Sequence, residues 1–207
     1  MNDKTMFNLT YGLFVLTASL DGKDNGCIVN TAGQVTAVPN RISIAVNKSN
    51  FTHDMILASG KFNVSILSEE ADFSIFKRFG FQSGRDVNKF DGYEHAVRGE
   101  NGIYYVTEGT NGFISAQVET TLDLGTHTLF IAGVTGMDVL SDIPSTTYTY
   151  YQNHIKPKPQ PKTESEKGVT IWRCRICGYE YKGDVLPDDF ICPICKHPAS
   201  DFEKVTG

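Results

Sequence analysis

Four cysteines near the end of the chain are spaced as two pairs that can bind one metal ion. Cys174 and Cys177 form the first pair, and Cys192 and Cys195 form the second, with fourteen residues between the pairs. A Cys-x-x-Cys turn places two thiolates on one tight knuckle, and two knuckles can close a tetrahedral four-thiolate site. Zinc would make this site a structural pin, whereas iron would make it a one-electron carrier.

The residues around the two knuckles favour iron. We expect a small aromatic core beside the metal, formed by Trp172, Tyr179, Tyr181, Phe190 and Phe202. With the proline after the third cysteine, this arrangement resembles rubredoxin from Trp172 to Val205, and its short loop between knuckles is most similar to the rubredoxin tail of rubrerythrins. Lys196 is a departure, because rubredoxins usually carry glycine after the fourth cysteine. A zinc ribbon remains the alternative.

Two polar segments in the first part of the chain have the residue types of a mononucleotide site. Residues 30–36, Asn-Thr-Ala-Gly-Gln-Val-Thr, offer small side chains, hydroxyls and backbone amides. Residues 47–53, Asn-Lys-Ser-Asn-Phe-Thr-His, lie between a predicted strand and a predicted helix. Ser49 or Asn50 can cap that helix, and its first N–H groups together with Lys48 make an anion site. The pattern predicts a phosphate at the second segment and a ring system at the first.

The order and spacing of these loops resemble the flavin reductase family, whose fold is a split β-barrel. The resemblance covers most of residues 8–155 and is clearest over residues 11–90. Residues 125–134 are similar to the family's Gly-Asp-His strand, with Thr126 in place of the usual aspartate, and residues 148–151 resemble its aromatic C-terminal segment.

This resemblance implies roles for particular residues. It implies that the isoalloxazine ring and ribityl chain of FMN are lined by residues 30–36, namely Asn30, Thr31, Gly33, Gln34, Val35 and Thr36. It implies that the phosphate is held by Asn47, Lys48, Ser49, Asn50 and Thr52. Arg85 is a candidate for a further cation, with a solvated surface loop as the alternative. His127 stands where the family places a histidine near the nicotinamide, with a hydrogen-bonded strand residue as the alternative. We expect His53 to be a helix-start residue rather than an acid or base.

Fusion of a flavin reductase-like domain to a rubredoxin tail resembles the high-molecular-weight rubredoxins of anaerobes. That resemblance implies non-covalent FMN, a homodimer, and NADH or NADPH as electron donor. It also implies a flavodiiron protein, which reduces oxygen or nitric oxide, as the acceptor. The expected route runs from NAD(P)H to FMN, then to an iron bound by four cysteines, and then to the acceptor, because a flavin can take two electrons and release them singly. A free flavin reductase that releases reduced FMN and a zinc-pinned docking module on a flavin-binding barrel are the alternatives.

A charged, proline-rich segment separates the two sets of candidate residues. Residues 156–167 alternate proline with charge and contain no apolar side chain that could build a core. We therefore predict a flavin reductase-like domain over residues 1–154, a linker over 155–168 and a rubredoxin-like iron domain over 169–207.

The predicted elements of the front domain are mostly strands. A hairpin is expected from residues 13–19 and 26–30 around an Asp-Gly turn. Further strands are expected at residues 41–47, 62–67, 103–106, 112–118 and 128–134. Helices are expected at 51–59, ended by Gly60, and at 70–78, ended by Gly80. The pattern predicts a mainly β fold: a split β-barrel with peripheral helices, followed by a small metal-knuckle domain.

Composition and missing motifs narrow the function further. With 19 basic and 24 acidic residues the net charge is −5, and no basic block indicates nucleic acid as a partner. No Gly-x-Gly-x-x-Gly or Walker motif is present, so a nicotinamide would have to bind without a Rossmann domain. No apolar run reaches membrane-spanning length. Thiolate ligands need reducing conditions, so we expect a cytoplasmic protein in which Cys27 is a small buried residue.

Overall fold

The computed structural model describes residues 2–157, 170–175, 178–193 and 198–205. The chain divides into two units, Met1–Lys156 and Pro157–Gly207, and each unit has its own hydrophobic core. Within the described ranges, no helix is long and apolar enough to cross a membrane.

The described part of the front unit contains nine strands, numbered here in chain order. They are β1 Phe14–Leu20, β2 Lys23–Val29, β3 Gly33–Ala37, β4 Asn40–Asn47, β5 Lys61–Leu67, β6 Ala96–Arg98, β7 Tyr104–Val106, β8 Thr110–Asp123 and β9 His127–Val139. Seven of them form one antiparallel sheet in the order β2-β1-β5-β8-β9-β4-β3. Strands β6 and β7 pair separately. The mainly β front domain predicted from the sequence is confirmed.

The large sheet curls around one apolar core, because six of its strands send side chains into the same cluster. Leu16, Ile44, Phe62 and Phe130 are completely buried in that cluster. The residues of β2, β8 and the first helix complete it. Burial of such side chains is the main stabilising contribution to the fold.

Helices lie at the periphery of the front unit. They are the 3-10 helix Asp3–Asn8, α1 Phe51–Ser59, α2 Phe73–Gly80, α3 Tyr148–Tyr150 and the π-helix Tyr151–Ile155. Helix α1 has the predicted bounds, and Gly60 ends it in the left-handed conformation with φ of 69°. Helix α2 starts later than predicted because Asp72 is its N-cap and accepts a hydrogen bond of 2.8 Å from the backbone N–H of Ser74.

Two further differences from the predicted elements concern the strands. Residues 33–37 form the edge strand β3, where the sequence predicts a loop. Strands β8 and β9 are about twice as long as predicted, because the added part of each pairs with the predicted part of the other, as in Thr121↔Phe130 and Ile114↔Met137. The predicted hairpin turn is present, with positive φ at both Asp21 and Gly22, as a two-residue turn between right-twisted strands requires.

The described part of the second unit contains a small three-stranded sheet. Its strands are β10 Ile171–Cys174, β11 Glu180–Lys182 and β12 Phe202–Val205, and the 3-10 helix Ala199–Asp201 precedes β12. The sheet order is β11-β10-β12 with antiparallel pairs. The predicted linker begins at Ile155, which belongs to the π-helix and packs against the second core of the front unit. Residues 158–168 of that linker lie outside the described residues.

Candidate functional site

A cleft of about 340 Å³ opens beside the edge strand β3. Its floor is apolar and consists of Phe14, Ile42, Val64, Ile114 and Val134, while its polar rim includes Gln34, Asn40 and Arg41. The rim is held by a hydrogen bond of 3.1 Å from Gln34 Nε2 to Asn40 Oδ1 and by an Arg41–Glu119 ion pair of 2.6 Å. A flat ring system with an apolar end and polar edges fits such a lining.

The structure brings only some of the predicted ring-contacting residues to this cleft. Gly33 and Gln34 line it. Thr31 is tied to β4, since its hydroxyl donates to the carbonyl of Ala45 over 2.7 Å and accepts from the N–H of Ala45 over 3.2 Å. Val35 and Thr36 are exposed farther along β3 and are not part of the cleft lining. Asn30 precedes Thr31 and is half-buried.

The predicted phosphate loop, residues 47–53, is held in shape by hydrogen bonds to the side chain of Asn47. Its side-chain oxygen accepts hydrogen bonds of 2.9 Å from both the backbone N–H and the hydroxyl of Ser49. Asn50, not Ser49, is the N-cap residue of α1, and its side chain makes no capping hydrogen bond to the described residues. Lys48 forms an ion pair of 2.7 Å with Asp123, which holds the pKa of that carboxyl below its usual value. The loop therefore carries a cation and a helix N-terminus, and both are groups that attract phosphate.

Thr52 points into the protein rather than toward this loop. Its side chain is completely buried, and its hydroxyl accepts a hydrogen bond of 2.9 Å from Asn25 Nδ2. Asn25 also explains why position 84 is a glycine, because a Cβ atom at that position would stand 2.1 Å from Asn25 Oδ1. Any contribution of Thr52 to a phosphate site would have to come from its backbone.

Arg85 lies against the first turn of α1. Its guanidinium is 2.5 Å from Asp54 Oδ2 and lies over the ring of Phe51, 5.1 Å from the centroid. The structure therefore places the predicted cation beside α1, where it is paired with a carboxylate rather than solvated alone.

His127 lies next to the phosphate loop. It is the first residue of β9 and pairs with Asn47 at the end of β4, while the N–H of Lys48 donates to the carbonyl of Thr126 over 3.0 Å. Its Nδ1 is 2.9 Å from the hydroxyl of Thr126, and its side chain is half-buried. The fold thus joins two candidate segments that are far apart in the sequence.

His53 is buried and bonded at both ring nitrogens, which sequence reasoning missed. Its Nδ1 is 3.0 Å from Asp54 Oδ1, and its Nε2 is 2.9 Å from the hydroxyl of Thr128. Only 5% of its surface is exposed. The hydrogen bond from His53 is the main reason that the pKa of Asp54 lies below its usual value, and Arg85 adds to that effect. A histidine at the start of a helix gives no sequence signal for a partner on a distant strand.

Two of the four predicted metal ligands lie in the described part of the second unit. Cys174 ends β10 with 1% of its surface exposed, and Cys192 is completely buried. They share a core with all five predicted aromatic residues, Trp172, Tyr179, Tyr181, Phe190 and Phe202. Cys177 and Cys195 lie outside the described residues.

Two backbone hydrogen bonds connect Cys174 to the residues that follow the predicted first knuckle. The N–H of Gly178, whose φ is 80°, donates to the carbonyl of Cys174 over 2.9 Å, and the N–H of Cys174 donates to the carbonyl of Tyr179 over 2.8 Å. Thiol sulfurs are soft ligands that suit iron or zinc, so the residues present fit a thiolate-bound metal.

Comparison with known proteins matches the chain to two protein families. Residues 6–158 match the family described as flavin reductase like domain, and residues 172–203 match the family described as rubrerythrin, rubredoxin-like domain. A high molecular weight rubredoxin of Moorella thermoacetica is 35% identical over 99% of this chain and 100% of that protein. A ferric-chelate reductase (NAD(P)H) of Archaeoglobus fulgidus is 36% identical over 79% of this chain and 95% of that protein.

Solved structures share the fold of the front unit. An NADH:FAD oxidoreductase of Streptomyces globisporus superimposes with a TM-score of 0.62 at 20% sequence identity, covering 70% of this chain and 84% of that one. An identity this low establishes the fold alone.

Proposed function

The chain belongs to the flavin reductase-like family and, with its rubredoxin-like domain, to the high molecular weight rubredoxins, and from this premise we propose how it transfers electrons. It is a flavin oxidoreductase in which NADH or NADPH reduces FMN in the front unit. The electrons then pass one at a time to an iron held by four cysteines in the second unit, and on to an external acceptor. The observation that carries the proposal is that one chain contains a ring-sized cleft and two buried thiols, Cys174 and Cys192, one from each predicted knuckle.

The proposed flavin is FMN, bound without a covalent link. Gly33 and Gln34 would lie beside its ring, with the apolar cleft floor below, because these residues line the cleft. The other members of the proposed flavin site are Asn30, Thr31, Val35 and Thr36 from the segment at β3, and Asn47, Lys48, Ser49, Asn50, the backbone of Thr52 and Arg85 around the phosphate. Lys48 supplies the positive charge for the phosphate, and Asn47 holds the loop in shape.

The proposed iron ligands are Cys174, Cys177, Cys192 and Cys195. The aromatic core around the first and third of them excludes water from the sulfurs, which are buried. A flavin can accept two electrons together and release them singly, which is the chemistry that a hydride donor and a one-electron metal centre require between them.

The nicotinamide donor is proposed to bind at His127. This residue borders the phosphate loop and is accessible, whereas His53 is buried. His127 would then orient the donor and hold it in contact with the flavin, since a hydride moves only over near-contact distance.

The proposed assembly is a homodimer whose acceptor is a flavodiiron protein. Exposed apolar side chains lie at both ends of the long β8–β9 hairpin, Leu122 and Leu124 at its turn and Met137 and Val139 at the end of β9. Exposed apolar residues of this kind are candidates for contacts between protein chains. A cytoplasmic location is proposed because four thiolates need reducing conditions.

Purification without oxygen tests the proposed function. We expect FMN to remain with the protein through gel filtration and one iron, rather than zinc, per chain by elemental analysis. NADH or NADPH should then bleach the flavin absorbance. Zinc in the knuckles would support the docking alternative, and loss of FMN on the column would support a free flavin reductase. A flavin that neither nicotinamide reduces would contradict the reductase assignment.

A further inference from the structure

A chain of four side chains links a surface loop, helix α1 and the start of β9. Arg85 contacts Asp54, Asp54 contacts His53, and His53 contacts Thr128, with atom distances of 2.5, 3.0 and 2.9 Å. We propose that His53 is a positioning residue for hydride transfer: through Thr128 it fixes the first residues of β9, and so holds His127 at the nicotinamide. This inference rests on the proposed place of His127 in the reaction.

The contact with Thr128 acts on the backbone that carries His127. The two residues are neighbours on β9, and side chains alternate along a strand, so Thr128 points inward while His127 is half-buried on the other face. Thr128 has 6% of its surface exposed, and His53 has 5%. The hydrogen bond between them is therefore shielded from water, and losing it would leave a buried polar group unpaired.

The contacts on the Asp54 side of His53 set the orientation of the imidazole. A carboxylate can only accept, so Nδ1 of His53 donates to Asp54, and this contact turns Nε2 toward the hydroxyl of Thr128. Arg85 holds the far oxygen of Asp54, which keeps the carboxylate turned toward the histidine. The ring of Phe130 packs edge-on against the imidazole with a centroid distance of 5.8 Å.

The order hydroxyl, histidine, carboxylate is also that of a nucleophilic triad, and burial decides between the two roles. A nucleophile must reach its substrate, but Thr128 is a buried residue of β9 whose hydroxyl faces His53 of α1. The arrangement, called the clamp below, therefore holds helix α1 against the start of β9.

Two matched pairs of variants test the clamp. Glutamine has an amide at the distance of Nε2, so His53→Gln keeps the contact with Thr128, whereas His53→Asn keeps only the contact near Nδ1. Likewise, Thr128→Ser keeps the hydroxyl and Thr128→Val removes it. We expect His53→Asn and Thr128→Val each to slow flavin reduction at saturating NADH about tenfold in anaerobic stopped flow, because a small misplacement of reacting groups is costly. His53→Gln and Thr128→Ser should stay within about twofold of the wild type.

A double-mutant cycle with His127→Ala shows whether His53 acts through His127. We expect His53→Asn to have no further effect in the His127→Ala background, because coupled residues are non-additive. The same tenfold effect in both backgrounds, or equal rates for His53→Asn and His53→Gln, would overturn the inference. A wild-type rate for His127→Ala would instead overturn the placement of the nicotinamide, and this inference with it.

A measurement without substrate or flavin gives an independent readout. In the flavin-free protein, amide hydrogen exchange at residues 126–128 should be faster in His53→Asn and Thr128→Val than in the wild type, and unchanged in His53→Gln and Thr128→Ser. Equal exchange in all five proteins would show that the hydrogen bond does not hold the start of β9, and the inference would fall.

Discussion

At the residue scale, the least expected group is the buried amine of Lys89. Its Nζ donates to the carbonyl oxygens of Gly26 and Phe79 over 2.7 and 3.0 Å, and only 3% of the residue is exposed. Burial lowers the pKa of Lys89 to about 8, while the nearby Cys27 opposes that change. The amine, which belongs to the loop after α2, connects that loop to β2 and α2. These hydrogen bonds stabilise the packing of the three segments, although burying the charged form of the amine is unfavourable.

Because the pKa of Lys89 is about 8 in the folded protein and near 10.5 in the unfolded chain, the unfolded state binds more protons between these pH values. The free energy of unfolding should therefore rise with pH in this window through the Lys89 contribution. We expect the difference between wild type and Lys89→Met to grow by about 2 kcal/mol in favour of the wild type from pH 7.5 to 9.5.

Denaturant unfolding of both proteins across this pH range measures that difference. Cys27 is coupled to Lys89, which lowers its pKa against the effect of burial, so both proteins should carry Cys27→Ala in this comparison. Tyr93, whose pKa is raised by burial and which Lys89 does not affect, contributes equally in both proteins. Parallel stability curves would show that Lys89 titrates normally in the folded state.

At the element scale, the sequence predicts an element well when its signals are local. Helix α1 has the predicted bounds because Gly60 ends it, and the β1–β2 hairpin follows from the turn at Asp21. Strand β3 was missed because Gly33 and its polar neighbours resemble a loop, and only pairing with β4 makes them a strand. The partners of His53 and Lys89 come from distant elements, so no spacing in the sequence indicates them.

The loop between β4 and α1 allows a test of the proposed phosphate site. Lys48→Met should weaken FMN binding about tenfold or more, because a charge-assisted bond to phosphate contributes about 1.5–3 kcal/mol. Riboflavin, which has no phosphate, should lose less than about twofold. Fluorescence titration of the flavin-free protein measures both affinities.

Lys61, at the other end of α1, provides the matched control. It is exposed like a surface cation but follows the helix instead of preceding it. Lys61→Met should leave both affinities unchanged. Equal losses for FMN and riboflavin in Lys48→Met would place the phosphate elsewhere, with Arg85 as the first candidate.

At the scale of the whole molecule, a flavin reductase-like part and a rubredoxin-like part of one chain have separate hydrophobic cores. The second unit, called the metal unit below, could be predicted because cysteine spacing and aromatic residues are local signals. Cys174 and Cys192 are buried among those aromatic residues. The cleft was only partly predictable: Gly33 and Gln34 line it, but its floor comes from strands spread over the front unit, such as those carrying Phe14 and Val134. Curling of the sheet, not local sequence, brings that floor together.

Separate cores predict that the metal unit can be disabled without harming the front unit. Cys192→Ser should remove the iron while leaving FMN content and the rate of flavin reduction by NADH close to wild type. Absorbance spectra and stopped flow measure these quantities. Loss of FMN from this variant would show that the two units depend on one another for folding.

The most direct test of the account is the fate of the iron–thiolate absorbance after anaerobic mixing of the full-length protein with NADH. If electrons pass from the nicotinamide through the flavin to the iron, the flavin absorbance should fall first and the iron absorbance should follow. Flavin-depleted protein should keep its iron oxidised under the same conditions. Flavin that is reduced while the iron stays oxidised, or iron that is reduced equally fast without flavin, would contradict the account.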